Sequence, residues 1–224
     1  MATISGYRKL AFLRLGDVVW TPVESNSPSA IADIVYLNGQ FYAITVNAKL
    51  LIVDISNPRP KTIEFAEPPE DFDMYAKFYL VESVGELFMV AQDVYEAYES
   101  ETSKIVTHET DGFDVYKFGF DNRKWTQVKR SLDNRALFVG FNASFAIFPS
   151  DNHLGCEPNC IYYTDIDTGG LLNNVLPNYK SRDGAGKDMG VFRMETEELD
   201  DHYVGPDIIS RVCAPLWICP SFSL

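Results

Sequence analysis

The sequence predicts an all-β chain in which groups of four short antiparallel strands stand face to face, and three observations carry that expectation. Short apolar runs alternate with turn residues throughout, and no stretch sustains the 3.6-residue period of a helix. Several runs are apolar without interruption, as in Leu50-Leu51-Ile52-Val53 and Leu87-Phe88-Met89-Val90. A strand with one face in water alternates, so an unbroken run calls for cover on both faces. The groups recur at about 45–50 residues, judged by turns at Gly39, Gly85 and Asn134.

Taken in order, Arg8 to Leu15 forms the first run, and a Gly16-Asp17 turn leads to Val18 to Val23. Ile31 to Tyr36 ends at Asn38-Gly39, a strong hairpin signal because both residues tolerate positive φ. Phe41 to Thr45 and Leu50 to Asp54 complete that group. The next runs from Phe78 to Ser83, turns at Gly85 and returns through Leu87 to Ala91. A polar excursion from Glu96 to Gly112 precedes Phe113 to Phe120, an Asp121-Asn122 turn and Trp125 to Val128. Ala136 to Val139, Phe145 to Phe148, Cys160 to Thr164 and Val191 to Met194 close the series, for roughly fourteen strands in all.

A phrase repeats, Trp20-Thr21-Pro22-Val23 and Trp125-Thr126-Gln127-Val128, each after a turn that contains aspartate. A tryptophan opening a strand can bury its ring between sheets while its indole N–H meets a turn carbonyl. The pattern is that of an incomplete β-propeller of three to four four-stranded antiparallel blades, read as one domain over residues 1–224.

Composition narrows the function. The 224 residues are 46% apolar and 13% aromatic, enough for a sizeable core. A formal charge of −13, from 32 acidic and 19 basic residues, repels phosphate, so nucleic acid and anionic membranes are excluded as expected partners. Acidic residues cluster in Glu67 to Asp73 and in Glu195 to Asp201; these read as solvated loops, with a docking surface for a basic partner as the sharper alternative. No apolar run approaches the length of a membrane span, and Met1 to Gly16 carries no export-signal core. The expected compartment is cytoplasm or nucleus. There, Cys156, Cys160, Cys213 and Cys219 are reduced, and the Asn142-Ala143-Ser144 sequon carries no weight.

Motifs for chemistry are weak. Cys156 and Cys160 with Cys213 and Cys219 could supply four thiolates to zinc, but the second pair is widely spaced and cysteine also serves as a small core residue. Gly184-Ala185-Gly186-Lys187-Asp188 resembles a phosphate loop but has Ser181 where the first glycine belongs and Asp188 where a magnesium-binding hydroxyl belongs. His108, His153 and His202 lie in polar stretches with no catalytic spacing. No catalytic, cofactor-binding or metal-binding residue is assigned, no cofactor is expected, and the chain is read as a binder that is not an enzyme.

Longer phrases are more specific. The chain resembles the plant family of kelch-like, KIB-type β-propeller proteins. The likeness rests on Arg8-Lys9-Leu10-Ala11-Phe12, Tyr36-Leu37-Asn38-Gly39-Gln40-Phe41-Tyr42-Ala43, Tyr79-Leu80-Val81-Glu82-Ser83 and Gly85-Glu86-Leu87-Phe88-Met89-Val90. It continues through Phe113-Asp114-Val115-Tyr116-Lys117, Ala136-Leu137-Phe138-Val139-Gly140, Gly155-Cys156-Glu157-Pro158-Asn159-Cys160-Ile161-Tyr162-Tyr163-Thr164-Asp165 and Pro215-Leu216-Trp217-Ile218-Cys219-Pro220-Ser221. Many members carry an F-box ahead of the propeller, and the resemblance implies a substrate-receptor surface in a ubiquitin ligase.

This chain is expected to lack the F-box and the opening blades, so the ligase role does not transfer with the fold. What remains is a module for an unidentified protein partner, with self-association through open blade edges as a further expectation. The alternatives are a propeller that binds a small molecule or carbohydrate, and a non-functional shortened paralogue. The Glu96 to Gly112 excursion reads as a disordered hairpin tip or a partner-specific recognition loop.

Overall fold

Strands dominate the structure, a computed structural model that describes residues 2–4, 9–25, 27–56, 58–98, 106–140, 142–149, 155–164, 188–201 and 217. No helix occurs among them. The chain divides into two compact units, residues 1–91 with 114–128, and residues 92–113 with 129–224.

The first unit begins with a three-stranded sheet of β1 (Ala2–Ile4), β2 (Lys9–Phe12) and β3 (Thr21–Pro22). A four-stranded antiparallel meander follows, made of β4 (Ile31–Leu37), β5 (Gln40–Thr45), β6 (Leu50–Asp54) and β7 (Lys61–Ala66). A third sheet joins β8 (Lys77–Ser83), β9 (Glu86–Tyr98), β10 (Val106–Gly119) and β11 (Lys124–Val128) in simple order, with residues 92–98 and 106–113 of these strands counted in the second unit.

Local backbone chemistry sets the hairpins. Asn38 and Gly39 both take positive φ, 48° and 84°, so Leu37 pairs with Gln40 across a two-residue turn. Val84 and Gly85 repeat that geometry 46 residues later, at 53° and 77°. The two turns are neighbours: a Cβ built on Gly85 would lie 3.9 Å from Asn38 Nδ2. The expected third repeat at Asn134 does not continue the series, because Asp133-Asn134 leads into a new sheet and closes no hairpin.

The unbroken apolar runs behave as burial on two faces requires. Leu50 sits in the cluster containing Phe78, Leu80, Leu87, Met89 and Phe118 from β8 to β10, with Ile52 packed against it. Leu51 and Val53 point the other way, into a cluster with Leu10 and Phe12 of β2 and Val23. The β4–β7 sheet is therefore covered on both sides within this unit. Each large apolar side chain so buried contributes roughly 1.5–3 kcal/mol.

The second unit holds a five-stranded sheet, in the order β13 (Phe145–Ile147), β12 (Ala136–Val139), β14 (Cys160–Tyr163), β15 (Gly190–Arg193), β16 (Glu198–Asp201). It departs from the expected four-stranded antiparallel blade, because β12 and β14 run parallel. β13 and β14 flank β12 on opposite sides, and a parallel pair needs a connection of a dozen or more residues. One face carries an aromatic ladder across three strands: Phe145 stacks on Phe138 at 5.0 Å, and Phe138 on Tyr162 at 4.8 Å. On Tyr163 and Phe192 rests Phe113, at 5.1 and 5.4 Å.

Boundaries shifted where side-chain pattern and strand diverge. β7 and β16 escaped the sequence reading because as edge strands they carry Lys61 and Glu64, or Glu198, Asp200 and Asp201. Glu198 to Asp201 is thus a strand and not a loop, whereas Glu67 to Asp73 is irregular and mostly exposed, as expected. The polar excursion also shrinks, since β9 runs to Tyr98 and β10 starts at Val106.

Candidate interaction surface

Large exposed apolar side chains gather in the loop between β2 and β3. Leu13, Leu15, Val18, Val19 and Trp20 all stand out of the surface, Leu15 and Val18 almost completely. The loop is held firmly at its base. Asp17 N–H donates to the Arg14 carbonyl and Arg14 N–H donates to the Asp17 carboxylate, both at 2.9 Å, while Gly16 supplies a φ of 97°. The Arg14 guanidinium lies over the Phe12 ring at 4.9 Å and donates to the Ile55 carbonyl at 2.9 Å. The turn from Arg14 to Asp17 is thereby tied down, with Leu15 projecting from it and Val18 and Val19 following it.

A cleft of about 720 Å³ lies near the ends of β2 and β3, with Lys9, Glu24 and several serines in its wall. The serines are committed to one another and to the backbone. Ser25 Oγ accepts from Ser27 N–H and from Thr62 Oγ1, Ser27 Oγ accepts from Ser29 N–H, and Ser29 Oγ accepts from Asn47 Nδ2. Hydroxyls so occupied form ordinary side-chain turns and offer a polar ligand little.

Burial pushes the Cys160 thiol up to about 11 and moves Cys156 in the same direction. Cys213 and Cys219 lie outside the described residues, as do His153, His202, Ser181 and Gly184 to Lys187; of His108 only the backbone is described. Asp188, the last residue of the phosphate-loop phrase, accepts from Thr110 Oγ1 at 2.7 Å and from Thr110 N–H at 3.2 Å, and Thr110 in turn accepts from Gln92. That carboxylate fastens a strand. Just ahead of the excursion, the Tyr95 hydroxyl donates to Glu109, which raises the phenol.

The two tryptophans of the repeated phrase both lie at outermost strands, β3 and β11, but their rings differ. Trp125 packs edge-on to Phe118 at 4.9 Å, and its indole N–H is buried without an acceptor, contrary to the expected turn carbonyl. Trp20 is half exposed. The strand carbonyl is met by Trp217, whose Nε1–H donates to Val139 at 2.8 Å.

The Gly155 to Thr164 phrase has a structural basis. Asn159 adopts φ 58°, and its side-chain oxygen accepts from Leu132 N–H at 2.8 Å, Asn134 N–H at 3.1 Å and Ser131 Oγ at 3.2 Å. Its own N–H donates to Arg135, and its carbonyl accepts from Met194. Glu157 pairs with Arg193, which also binds Asp200, and Glu157 N–H donates to the Tyr162 hydroxyl. One asparagine thus ties the entries of β12 and β14 to the end of β15.

Comparison with known proteins fits this architecture. The model of the KIB1-4 beta-propeller family matches residues 1–193. The chain belongs to that family. Among curated relatives in Arabidopsis thaliana, it is 27% identical to F-box protein SKIP23 over 213 residues, 89% of this chain and 48% of that protein. It is 29% identical to F-box protein At2g17036 over 167 residues, 72% of this chain and 39% of that protein. The chain spans about half the length of the curated relatives it matches. Among the described residues no helix is long and apolar enough to cross a membrane.

Proposed function

We propose that this KIB1-4 propeller chain is a protein-interaction module, a substrate-receptor-like surface that binds a protein partner and performs no chemistry on it. The observation that carries the reading is the loop of Leu13 to Trp20, with its exposed apolar side chains. Contiguous apolar surface of this kind marks interaction sites on folded proteins. The charge of −13 favours a partner with a basic rim around an apolar contact. The relatives' description as F-box proteins agrees with a recruiting role. The same reading keeps the chain in the cytoplasm or nucleus, with its thiols reduced.

The test is affinity capture from plant extract with the wild-type chain and with the triple variant Leu15→Asp, Val18→Asp, Val19→Asp. A partner held by the wild type and lost by an equally folded variant supports the proposal. Equal capture by both, or no specific partner for either, overturns it.

Self-association is the second reading. Ala2-Thr3-Ile4 and Phe145-Ala146-Ile147 form sheet edges with no charge or proline to discourage pairing. Sedimentation at micromolar concentration showing only monomer would remove it. The small-molecule reading is weakened by the mutually satisfied serines of the cleft.

A further inference from the structure

Trp217 lies far along the chain from the residues that hold it, and they grip it as a binding site grips a residue. The Asn142 side chain accepts from Trp217 N–H at 3.1 Å and donates to the Trp217 carbonyl at 2.8 Å, across 75 positions of sequence. This pair reads both backbone groups of one residue, as a neighbouring strand would. The indole N–H donates to the Val139 carbonyl at 2.8 Å, while Phe138 meets the ring edge-on at 4.9 Å. Gly140 forms the floor: a Cβ there would lie 3.2 Å from the ring and 2.3 Å from Thr164 Oγ1. Thr164 Oγ1 is buried beneath the slot and has no hydrogen-bond partner.

These contacts recognise an indole, its N–H and a peptide backbone, and none depends on the covalent path to residue 142. We propose that the slot formed by Phe138, Val139, Gly140 and Asn142 is a peptide-recognition site for a tryptophan-bearing segment, filled in cis by Trp217 and open to a partner's tryptophan once Trp217 is displaced. The cis residue competes at a high effective concentration, so the intact chain masks the site. The inference stands on residues other than the Leu13 to Trp20 loop, and the two can fail separately.

The probe is a fluorescein-labelled peptide of residues 214–220, Ala-Pro-Leu-Trp-Ile-Cys-Pro, carrying Cys219→Ser. Fluorescence anisotropy measures its binding to wild type, Trp217→Ala and Trp217→Phe. The expected result is binding to Trp217→Ala about ten-fold or more tighter than to wild type, with Trp217→Phe between them. A peptide with alanine for tryptophan binds none of them, and adding Asn142→Ala to Trp217→Ala abolishes the gain. Should Trp217→Ala not fold, Trp217→Phe keeps an aromatic filling and gives the decisive comparison. No gain in either folded variant, or equal binding of the alanine peptide, overturns the proposal.

Discussion

The carboxylate of Asp33 accepts the backbone N–H of Leu80 at 2.8 Å, fastening the first strand of one sheet to the first strand of the next. Its other oxygen accepts Ile34 N–H at 2.7 Å, beside the register shift between Ile31 and Asp33. The carboxylate that reaches β8 thus stands where the β4–β5 register shifts, and bulges of this kind re-aim side chains. Loss of such a charged acceptor leaves a part-buried N–H unsatisfied. Asp33→Ala is therefore expected to cost about 1.5–3 kcal/mol in urea unfolding, and Asp33→Asn, which keeps an acceptor, clearly less.

Val84 occupies the position that Asn38 holds in the neighbouring hairpin, yet it is β-branched and sits at φ 53°. Left-handed backbone costs an L-residue of this shape about 1–2 kcal/mol, and the exposed side chain recovers little by packing. Val84→Asn should raise the stability by about 1 kcal/mol, a rise of roughly 2–4 °C in Tm by calorimetry.

Asn159 serves three donors with one oxygen while holding positive φ. Asn159→Ala removes the acceptor and places alanine in a disfavoured conformation, for an expected loss of about 2–4 kcal/mol. Asn159→Asp retains the acceptor and should unfold within about 1 kcal/mol of wild type. Equal losses for the two variants would refute the acceptor role.

The Cys160 thiol is held neutral by burial, with its pKa pushed up to about 11 from the ordinary 9.0. Because the folded value lies above the unfolded one, its contribution to stability is complete below pH 9 and is lost as pH rises through 11. Alkylation of Cys160 by iodoacetamide at pH 8, followed by peptide mass spectrometry, should be slow in buffer and fast in denaturant. Rapid labelling of the folded chain would contradict the burial.

Leu15 and Val18 contribute almost nothing to the core, so Leu15→Asp and Val18→Asp should shift unfolding by no more than about 0.5 kcal/mol each. A larger loss in urea titration would mean that the loop packs against the fold, and would remove the basis for reading it as an interaction surface.

The legible part of the fold was written in local terms. Asn38-Gly39 could be read as a turn because few residues tolerate positive φ, and Leu50 to Val53 as a strand covered on both faces because only burial explains four apolar residues in succession. The Gly155 to Asp165 phrase was visible as distinctive, but its reason was not: the partners of Asn159 at 131, 132 and 134 lie 25 or more residues earlier. The outer strands β7 and β16 were hidden because an edge in water needs charge and not an apolar pattern.

By itself the sequence determined the all-β class, the twin hairpins and the strand Leu50 to Val53 covered on both faces, since each follows from backbone preference or from the exclusion of apolar side chains from water. Only the tertiary structure decided that β12 runs beside β14 in parallel, that Asp33 reaches Leu80, and that Trp217 fills the slot above Gly140. Those are choices among distant partners. They depend on which groups remain unpaired once the sheets have packed, a quantity that no window of neighbouring residues contains.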